Sequence, residues 1–199
     1  NEGTTDRAGT VIDGGYPART NRCVFVGNVA AVIDGFTITN GYAPTESVSG
    51  RGAGVYLSQQ GVVSNCVIAG NEAAFNGGGV YLDCGRVADC TIVGNVATNN
   101  SGGGGGLFAH AAGLVTNCLI RGNCAKRGGG VYLNGASATI GNAALLDCDV
   151  RENVSRVIVS GDGGGGVYQF RKSLISDCRI ISNQAVRVSG TPYGCGICM

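Results

Sequence analysis

Charge, proline and histidine are scarce in this sequence, and long apolar runs are missing. Only 14% of the 199 residues are charged and the formal net charge is +1, so the chain lacks the basic surface typical of proteins that bind nucleic acid or anionic membranes. No apolar stretch approaches the roughly 18 residues of a transmembrane helix. The only basic pairs, Lys126-Arg127 and Arg171-Lys172, are interpreted as solvated surface. We therefore expect neither a nucleic-acid partner nor a transmembrane segment.

Three prolines stand against 37 glycines, yet there is no Gly-X-Y period, which excludes collagen. Apolar residues make up 44% of the chain, which excludes a disordered chain of low hydrophobicity. Ten cysteines in a chain of this size favour a disulfide framework. The cysteines, however, lie inside a repeat, and the repeat changes that interpretation.

Two short segments recur along the chain. The first reads Gly-Val-Tyr-Leu with substitutions, and after a degenerate copy at Cys23 its copies begin at Gly54, Gly79, Gly106, Gly130, Gly166 and Gly196. The second segment joins Asn or Asp to Cys and places an Asn five residues after the Cys, as in Asn65-Cys66 with Asn71. Such self-similarity is the signature of a repeat architecture.

Each repeat holds only short apolar segments that alternate with period two, which predicts strands and no helix. Three short strands cannot bury their inner faces alone, but stacked coils can, with each strand pairing in parallel with its copy about 4.8 Å away. The sequence therefore predicts an all-β protein, a single right-handed parallel β-helix (solenoid) of about seven coils with three short strands per coil. Residues 1–199 form one domain in this prediction.

Aligning the copies predicts the side chains that face the interior. The first strand supplies Val24, Val55, Val80, Leu107, Val131, Val167 and Ile197, then Val26, Leu57, Leu82, Ala109, Leu133, Gln169 and Met199. The second strand supplies Ile12, Ile33, Val63, Val87, Val115, Leu145 and Ile175, and the third supplies Ile38, Ile68, Ile92, Ile120, Val150 and Ile180. The repeat continues to Met199, so we expect a segment of a longer solenoid or a covered last coil. Open strand edges would favour head-to-tail or capped self-association.

The strand that ends in Asn, followed by a Gly-Gly-(Gly/Ala)-Val segment, resembles the repeats of chlamydial polymorphic outer-membrane proteins. From about Val11 onward the chain also resembles the right-handed β-helix repeats of the pectin-lyase-like superfamily. This resemblance implies the fold and a secreted or cell-surface bacterial protein. It implies no particular activity, because that fold hosts lyases, hydrolases, adhesins and tail-spikes alike.

One cysteine per coil is expected to point into the core, where a thiol behaves as a small hydrophobe; these are Cys66, Cys90, Cys118, Cys148 and Cys178. Parallel Cβ vectors one coil apart are too far separated for a usual disulfide, and a straight ladder does not converge on a metal, so we predict reduced structural thiols. The remaining cysteines lie off this column and their pairing stays open: Cys23, Cys84, Cys124, Cys195 and Cys198.

Asparagine forms a second column, which we interpret as a structural ladder at a bend because Asn tolerates the left-handed conformation and its amide can bond to the next copy. Its members are Asn71, Asn95, Asn123, Asn153 and Asn183.

A third column is aromatic, alternates with inward Val and Leu, and is expected to face outward; it holds Phe25, Tyr56, Tyr81, Phe108, Tyr132 and Tyr168. Stacking explains that column by itself, and the alternative is a platform for sugar rings.

Other motifs do not assemble into a catalytic site. Ser58, Asp83 and His110 share one column, but Asp83 lies between the other two, whereas a triad needs the imidazole in the middle. Three carboxylates, those of Asp147, Asp149 and Asp177, are too few for Ca²⁺, which takes six to eight oxygens. Asp147 and Asp177 are interpreted as turn residues, and Asp149 with Arg179 as a cross-strand ion pair.

We therefore expect no catalytic residue, no metal and no cofactor. Two classes of function remain. The first is a non-catalytic secreted or cell-surface β-helix protein in adhesion, glycan binding or surface assembly, with polysaccharide as its partner. The second is a polysaccharide lyase or glycoside hydrolase domain whose catalytic residues are degenerate or lie elsewhere.

Overall fold

Short strands in every turn of the chain pair in parallel with their copies one turn away. The computed structural model describes residues 10–29, 31–45, 48–99, 102–135, 142–157, 162–187 and 194–199. These residues form a parallel β-solenoid of about six turns, which confirms the predicted all-β fold. Within them, no helix has the length and apolar character needed to cross a membrane.

The strands are numbered in chain order, and a 3₁₀ turn covers Val48–Gly50. They are β1 (Val11–Asp13), β2 (Val24–Val26), β3 (Val32–Asp34), β4 (Thr37–Thr39), β5 (Tyr42–Ala43), β6 (Val55–Leu57), β7 (Val62–Ser64), β8 (Val67–Ala69), β9 (Glu72–Ala73), β10 (Val80–Ala88), β11 (Thr91–Val93), β12 (Val96–Ala97), β13 (Leu107–Thr116), β14 (Leu119–Arg121), β15 (Cys124–Ala125), β16 (Val131–Asn134), β17 (Ala143–Leu146), β18 (Asp149–Arg151), β19 (Val154–Val157), β20 (Val167–Phe170), β21 (Ser173–Ser176), β22 (Arg179–Ile181), β23 (Gln184–Arg187) and β24 (Ile197–Cys198).

Three sheets run along the solenoid. The first strand of each coil forms the path β2-β6-β10-β13-β16-β20-β24, and the second strand continues the same sheet through β3-β7 and β17-β21. The third strand forms a seven-stranded sheet in the order β1-β4-β8-β11-β14-β18-β22. In β10 and β13 the first and second strands merge, with a register shift between Leu82 and Cys84 where Gly85 adopts a positive φ.

A third sheet of six strands, β5-β9-β12-β15-β19-β23, adds a fourth short strand to each coil that the sequence analysis did not predict. Its members are only two to four residues long and follow directly after the asparagine column. Alternation cannot be recognised over two residues, which is why this sheet was not found. Its inward positions are small, because the solenoid is narrow there; they are Ala43, Ala73, Ala97, Ala125 and Ser155.

The predicted inward columns form one contiguous core, and most members from the second coil to the sixth are fully buried. Two assignments were wrong at the ends. Ile12 pairs with Ile38, so it belongs to the third-strand column and not the second. Met199 is 92% exposed and lies beyond β24, so it does not continue the column of Leu57 and Leu82.

The corners of the coils explain the glycine triplets, for which Gly128-Gly129-Gly130 serves as the example. Gly128 adopts a φ of 57°, in the left-handed region that favours glycine. A Cβ on Gly129 would overlap the carbonyl oxygens of Val154 and Gly165, and one on Gly130 would lie 2.9 Å from the amide of Asn153. Gly128 is thus required by its turn, whereas Gly129 and Gly130 are required by the close packing of neighbouring coils.

Large apolar side chains that are exposed in the described residues lie on the first and last coils. Those with the greatest exposure are Val11, Phe25, Val29, Val32, Leu174 and Met199. Within the described residues, the outermost strands of the sheets have no partner on their outer side, and such edges promote pairing with other chains. Head-to-tail or capped self-association stays a prediction, which sedimentation over a concentration series would check.

Candidate functional site

The aromatic column faces away from the core, as predicted, and forms a hydrophobic cluster of its own. Successive rings pack with centroids 4.7–5.5 Å apart, edge to face near Phe25 and stacked from Tyr81 to Tyr168. The column is not an open platform, however. Tyr81 is only 3% exposed and Tyr132 9%, whereas Phe25 at the first coil is 61% exposed. Outward-facing rings were expected to be accessible, and the structure corrects this for the inner four.

A second layer covers these rings, and it comes from the segment that precedes each first strand. The Arg22 guanidinium lies 5.0 Å from the Tyr56 ring centroid, and that of Arg51 lies 4.9 Å from Tyr81. The glycine-rich segment at 102–106 passes over Tyr132 so closely that a Cβ on Gly103 would overlap the ring. Because each covering residue comes from an earlier coil than the ring below it, the sequence alignment of single coils did not reveal the layer.

The column has a seventh member that the sequence analysis missed. Cys198 pairs with Tyr168 in the sheet and is 8% exposed. It occupies the position of the aromatic rings one coil further on. A cysteine was not recognised there because the pattern had been defined by ring-bearing residues.

At the sixth coil, a buried ion-pair network completes the layer that covers the aromatic rings. Asp162 is fully buried; its Oδ1 accepts a hydrogen bond of 2.8 Å from Arg127 Nε, and its Oδ2 lies 3.2 Å from Lys126 Nζ. The Arg127 guanidinium also lies 5.8 Å from the Tyr168 ring centroid. Interpreting Lys126-Arg127 as solvated surface was therefore wrong. Their common partner lies about 35 residues later, beyond the reach of a local pattern.

The five column cysteines point into the core, one in each coil. Each thiol donates a hydrogen bond of 3.0–3.2 Å to the carbonyl oxygen two residues earlier, as Cys90 does to Ala88. Hydrogen bonding to the adjacent thiols and burial both raise the pKa of Cys118. All ten cysteines, including the five outside the column, are unpaired in the structure.

Native labelling with a thiol reagent is expected to divide the cysteines by burial. Exposed Cys195 should react first, while Cys66, Cys90, Cys118 and Cys148 should react only on unfolding, because the reagent needs an accessible thiolate. In denaturant without reductant, all ten should be labelled. Mass spectrometry of the labelled peptides checks both results, and ten cysteines found in disulfides would contradict the core ladder.

The asparagine column forms a continuous hydrogen-bonded ladder inside the fold. The amide oxygen of Asn123 accepts from the backbone N–H of Asn95 at 2.8 Å and from its side-chain amide at 3.1 Å. The Asn123 amide in turn donates to the Ile92 carbonyl at 3.0 Å. The ladder asparagines themselves are not left-handed, contrary to expectation. The residue before each one is, as with Gly94 and Gly122.

A cleft of about 800 Å³ opens beside the first coil and was not predicted. One wall is the segment from Asp13 to Cys23, and the other is formed by residues 42–45 with Ser49. Tyr42 lines the cleft and stacks on Tyr16, with ring centroids 4.3 Å apart. No repeat pattern could have indicated it, because the segment after β1 departs from the repeat.

A family model described as a right-handed beta helix region matches residues 22–199. The chain belongs to this family. No curated protein and no solved structure matches the chain. Membership in the right-handed β-helix family establishes the fold, while the chemistry of each member depends on individual sites.

In this β-helix, the column that holds Ser58, Asp83 and His110 forms one interacting pair, between Asp83 and His110, and not a catalytic triad. His110 Nδ1 lies 2.9 Å from Asp83 Oδ1. Ser58 directs its hydroxyl to the Val26 carbonyl, on the side of Asp83 away from His110. The order expected from the sequence therefore holds in three dimensions, and no proton can pass from Ser58 to the imidazole directly.

The acidic cluster of the β-helix is organised by ion pairs. Arg179 Nη1 lies 3.3 Å from Asp149 Oδ2 on the adjacent strand, which confirms the predicted cross-strand pair. Asp147 and Asp177 adopt φ values of 53° and 55°, as expected of turn residues. In the described residues, no group of three or more His, Cys, Asp or Glu side chains is arranged to hold a metal ion.

Proposed function

We propose that the chain is a non-catalytic scaffold of a secreted or cell-surface β-helix protein that takes part in adhesion or surface assembly. One observation carries this proposal: the outward aromatic column is packed as a second core beneath a covering layer. The sheet of first strands is therefore packed on both of its faces. A rod packed in this way keeps its shape along its length, which is what a scaffold needs.

The energetics support a structural use of the rings. Stacked aromatic pairs contribute about 0.5–1.5 kcal/mol each beyond the burial of their surface. The guanidinium groups of Arg22 and Arg51 add cation–π contacts that strengthen as water is excluded. Sugar rings would have to displace these groups before they could stack on Tyr56 or Tyr81. Polysaccharide binding by the whole aromatic column stays a prediction, with Phe25 as its accessible ring.

Replacing Tyr132 by alanine is expected to lower the free energy of unfolding by about 3–5 kcal/mol, the range for a buried aromatic side chain. The same change at Phe25, which is 61% exposed, should cost less than about 1 kcal/mol. Urea denaturation followed by circular dichroism measures both. Equal, small losses at the two positions would contradict a second core.

The same samples test the alternatives. Under the scaffold proposal, a broad panel of polysaccharides is neither retained nor degraded by the native chain. Retention that Phe25→Ala and Tyr81→Ala abolish, with the β-rich spectrum intact, would favour glycan binding by the column. Release of unsaturated or reducing ends from any polysaccharide would favour the lyase or hydrolase alternative.

Alkaline titration gives an independent measure of the covered rings. Burial raises the pKa of both Tyr81 and Tyr132 to about 12. Because an unfolded tyrosine ionises near pH 10, the unfolded state loses these protons first, and stability should fall between pH 10 and 12. The expected slope is on the order of 1 kcal/mol per pH unit for each ring. Tyr81→Phe and Tyr132→Phe should each flatten it, and an unchanged slope would contradict burial.

A further inference from the structure

The cleft at the first coil contains a guanidinium group that no carboxylate of a described residue balances. Arg22 Nε donates to the carbonyl oxygens of Arg51 and Gly52 at 3.1 and 3.0 Å, and Nη2 donates to those of Ser49 and Arg51 at 2.8 and 2.7 Å. The remaining contact is the Tyr56 ring. Within the described part of the chain, all partners of Arg22 are thus neutral, and its Nη1 group is left without an acceptor.

Neutral partners do not compensate a partly buried charge. Burial lowers the pKa of Arg22, which reflects the cost of removing a cation from water without a counterion. Lys126 and Arg127, by comparison, share the carboxylate of Asp162. Among the described residues no carboxylate pairs with Arg22, which lines the cleft instead.

A second guanidinium lines the same cleft. Arg19 is exposed, its aliphatic stem lies against Gly15, and it forms no ion pair with a described residue. Among the described residues of the lining, Asp13 supplies the one carboxylate, which already accepts from the Gly15 N–H at 2.8 Å and from the Asn40 amide at 3.2 Å. The described residues of the lining therefore carry two positive charges and one negative charge.

Size and donor chemistry point to one class of ligand. A volume of about 800 Å³ lies within the roughly 300–1,000 Å³ of small-molecule sites. Arginine presents a planar fork of donors that matches the oxygens of carboxylate, sulfate and phosphate groups. The side chains of Thr20 and Asn21 add neutral donors to the lining.

We propose that this cleft is a binding site for an oxyanion, a carboxylate, sulfate or phosphate group, held between the guanidinium groups of Arg19 and Arg22. The anion would supply the negative countercharge that Arg22 lacks, and its oxygens would accept hydrogen bonds from Arg22 Nη1. The site lies beside the aromatic column, since Arg22 also covers Tyr56, but the proposal does not rest on the scaffold role. The chain can bind an oxyanion here whether or not it also binds polysaccharide.

The test uses the full chain with sodium sulfate, sodium phosphate and sodium acetate as probes, against sodium chloride at matched ionic strength. We expect one or more of these anions to give saturable binding by isothermal titration calorimetry and to raise Tm above the chloride value. Arg19→Ala should weaken binding at least about fivefold, since a charge-assisted contact is lost. Arg121→Ala, an exposed arginine on the sheet of third strands, is the matched control and should leave binding unchanged.

Arg22→Lys keeps the charge but removes the planar fork, and it should also weaken binding. Arg19→Ala decides the question if Arg22→Lys fails to fold, because the Arg19 side chain is exposed and donates to no described carbonyl. Comparing inorganic sulfate with a sulfated and a carboxylated polysaccharide, at equal concentration of anionic groups, shows whether the group is free or belongs to a polymer. The proposal is overturned if no anion binds beyond chloride, or if Arg19→Ala binds as the wild type does.

Discussion

Gly129→Ala is expected to lower the free energy of unfolding by at least about 3 kcal/mol, because the added methyl group overlaps backbone and not a flexible side chain. The carbonyl oxygen of Val154 belongs to β19 and that of Gly165 to the glycine-rich segment before β20, so neither can move away without separating the packed backbones. Guanidinium chloride denaturation of the purified variant measures the loss. We expect either a large shift of the midpoint or a failure to fold.

Gly122→Ala is the matched control, since Gly122 has a left-handed φ of 63° but open space around its Cβ position. Only backbone strain applies there, which costs about 1–2 kcal/mol. A result in which Gly122→Ala costs as much as Gly129→Ala would mean that conformational strain, and not the close approach of the coils, accounts for the glycine triplets.

Asp162→Asn is expected to destabilise the fold by about 3–5 kcal/mol, the range for removing one partner from a buried ion pair. The change keeps the size of the side chain but leaves Lys126 and Arg127 with uncompensated charge in a site from which water is excluded. Because Arg127 also lies against Tyr168, we expect the cover of the aromatic column to loosen in this variant. Thermal unfolding and tyrosine fluorescence measure the two effects.

Asp149→Asn provides the comparison, because Asp149 pairs with Arg179 at the surface, where an ion pair contributes about 0–1 kcal/mol. If the two variants lose the same small amount of stability, the Asp162 network does not hold the covering layer. A large loss at Asp162 alone would show that the cover is part of the folded core.

The scaffold proposal and the oxyanion site share Arg22, which covers Tyr56 and also lines the cleft. The covered column extends along the inner coils, whereas the cleft lies beside the first coil, where the chain departs from its repeat. In repeat proteins, insertions between the regular elements often lie on the face that binds ligands. The outcome of the anion titration therefore does not depend on the stability of Tyr132 or Asp162 variants.

Much of the fold could be predicted from the sequence because its determinants are local and repeated. Alternation with period two placed Val80, Leu82 and Ile92 in the core, and the cysteine and asparagine columns followed from their fixed spacing. The aromatic residues were also correctly placed on the outward side of their strands. Each of these features depends on a side chain and its copy at the same position one coil away.

Only the tertiary structure decided what covers the outward faces. Whether Tyr132 is open or buried depends on the path of residues 102–106 from an earlier coil, and the partner of Lys126 lies about 35 residues later. The sequence also did not predict the short strands of the third sheet or the cleft beside Tyr42. Such features arise between segments that share no repeat position. Their geometry depends on how neighbouring coils pack, and a periodic pattern within single coils carries no information about that packing.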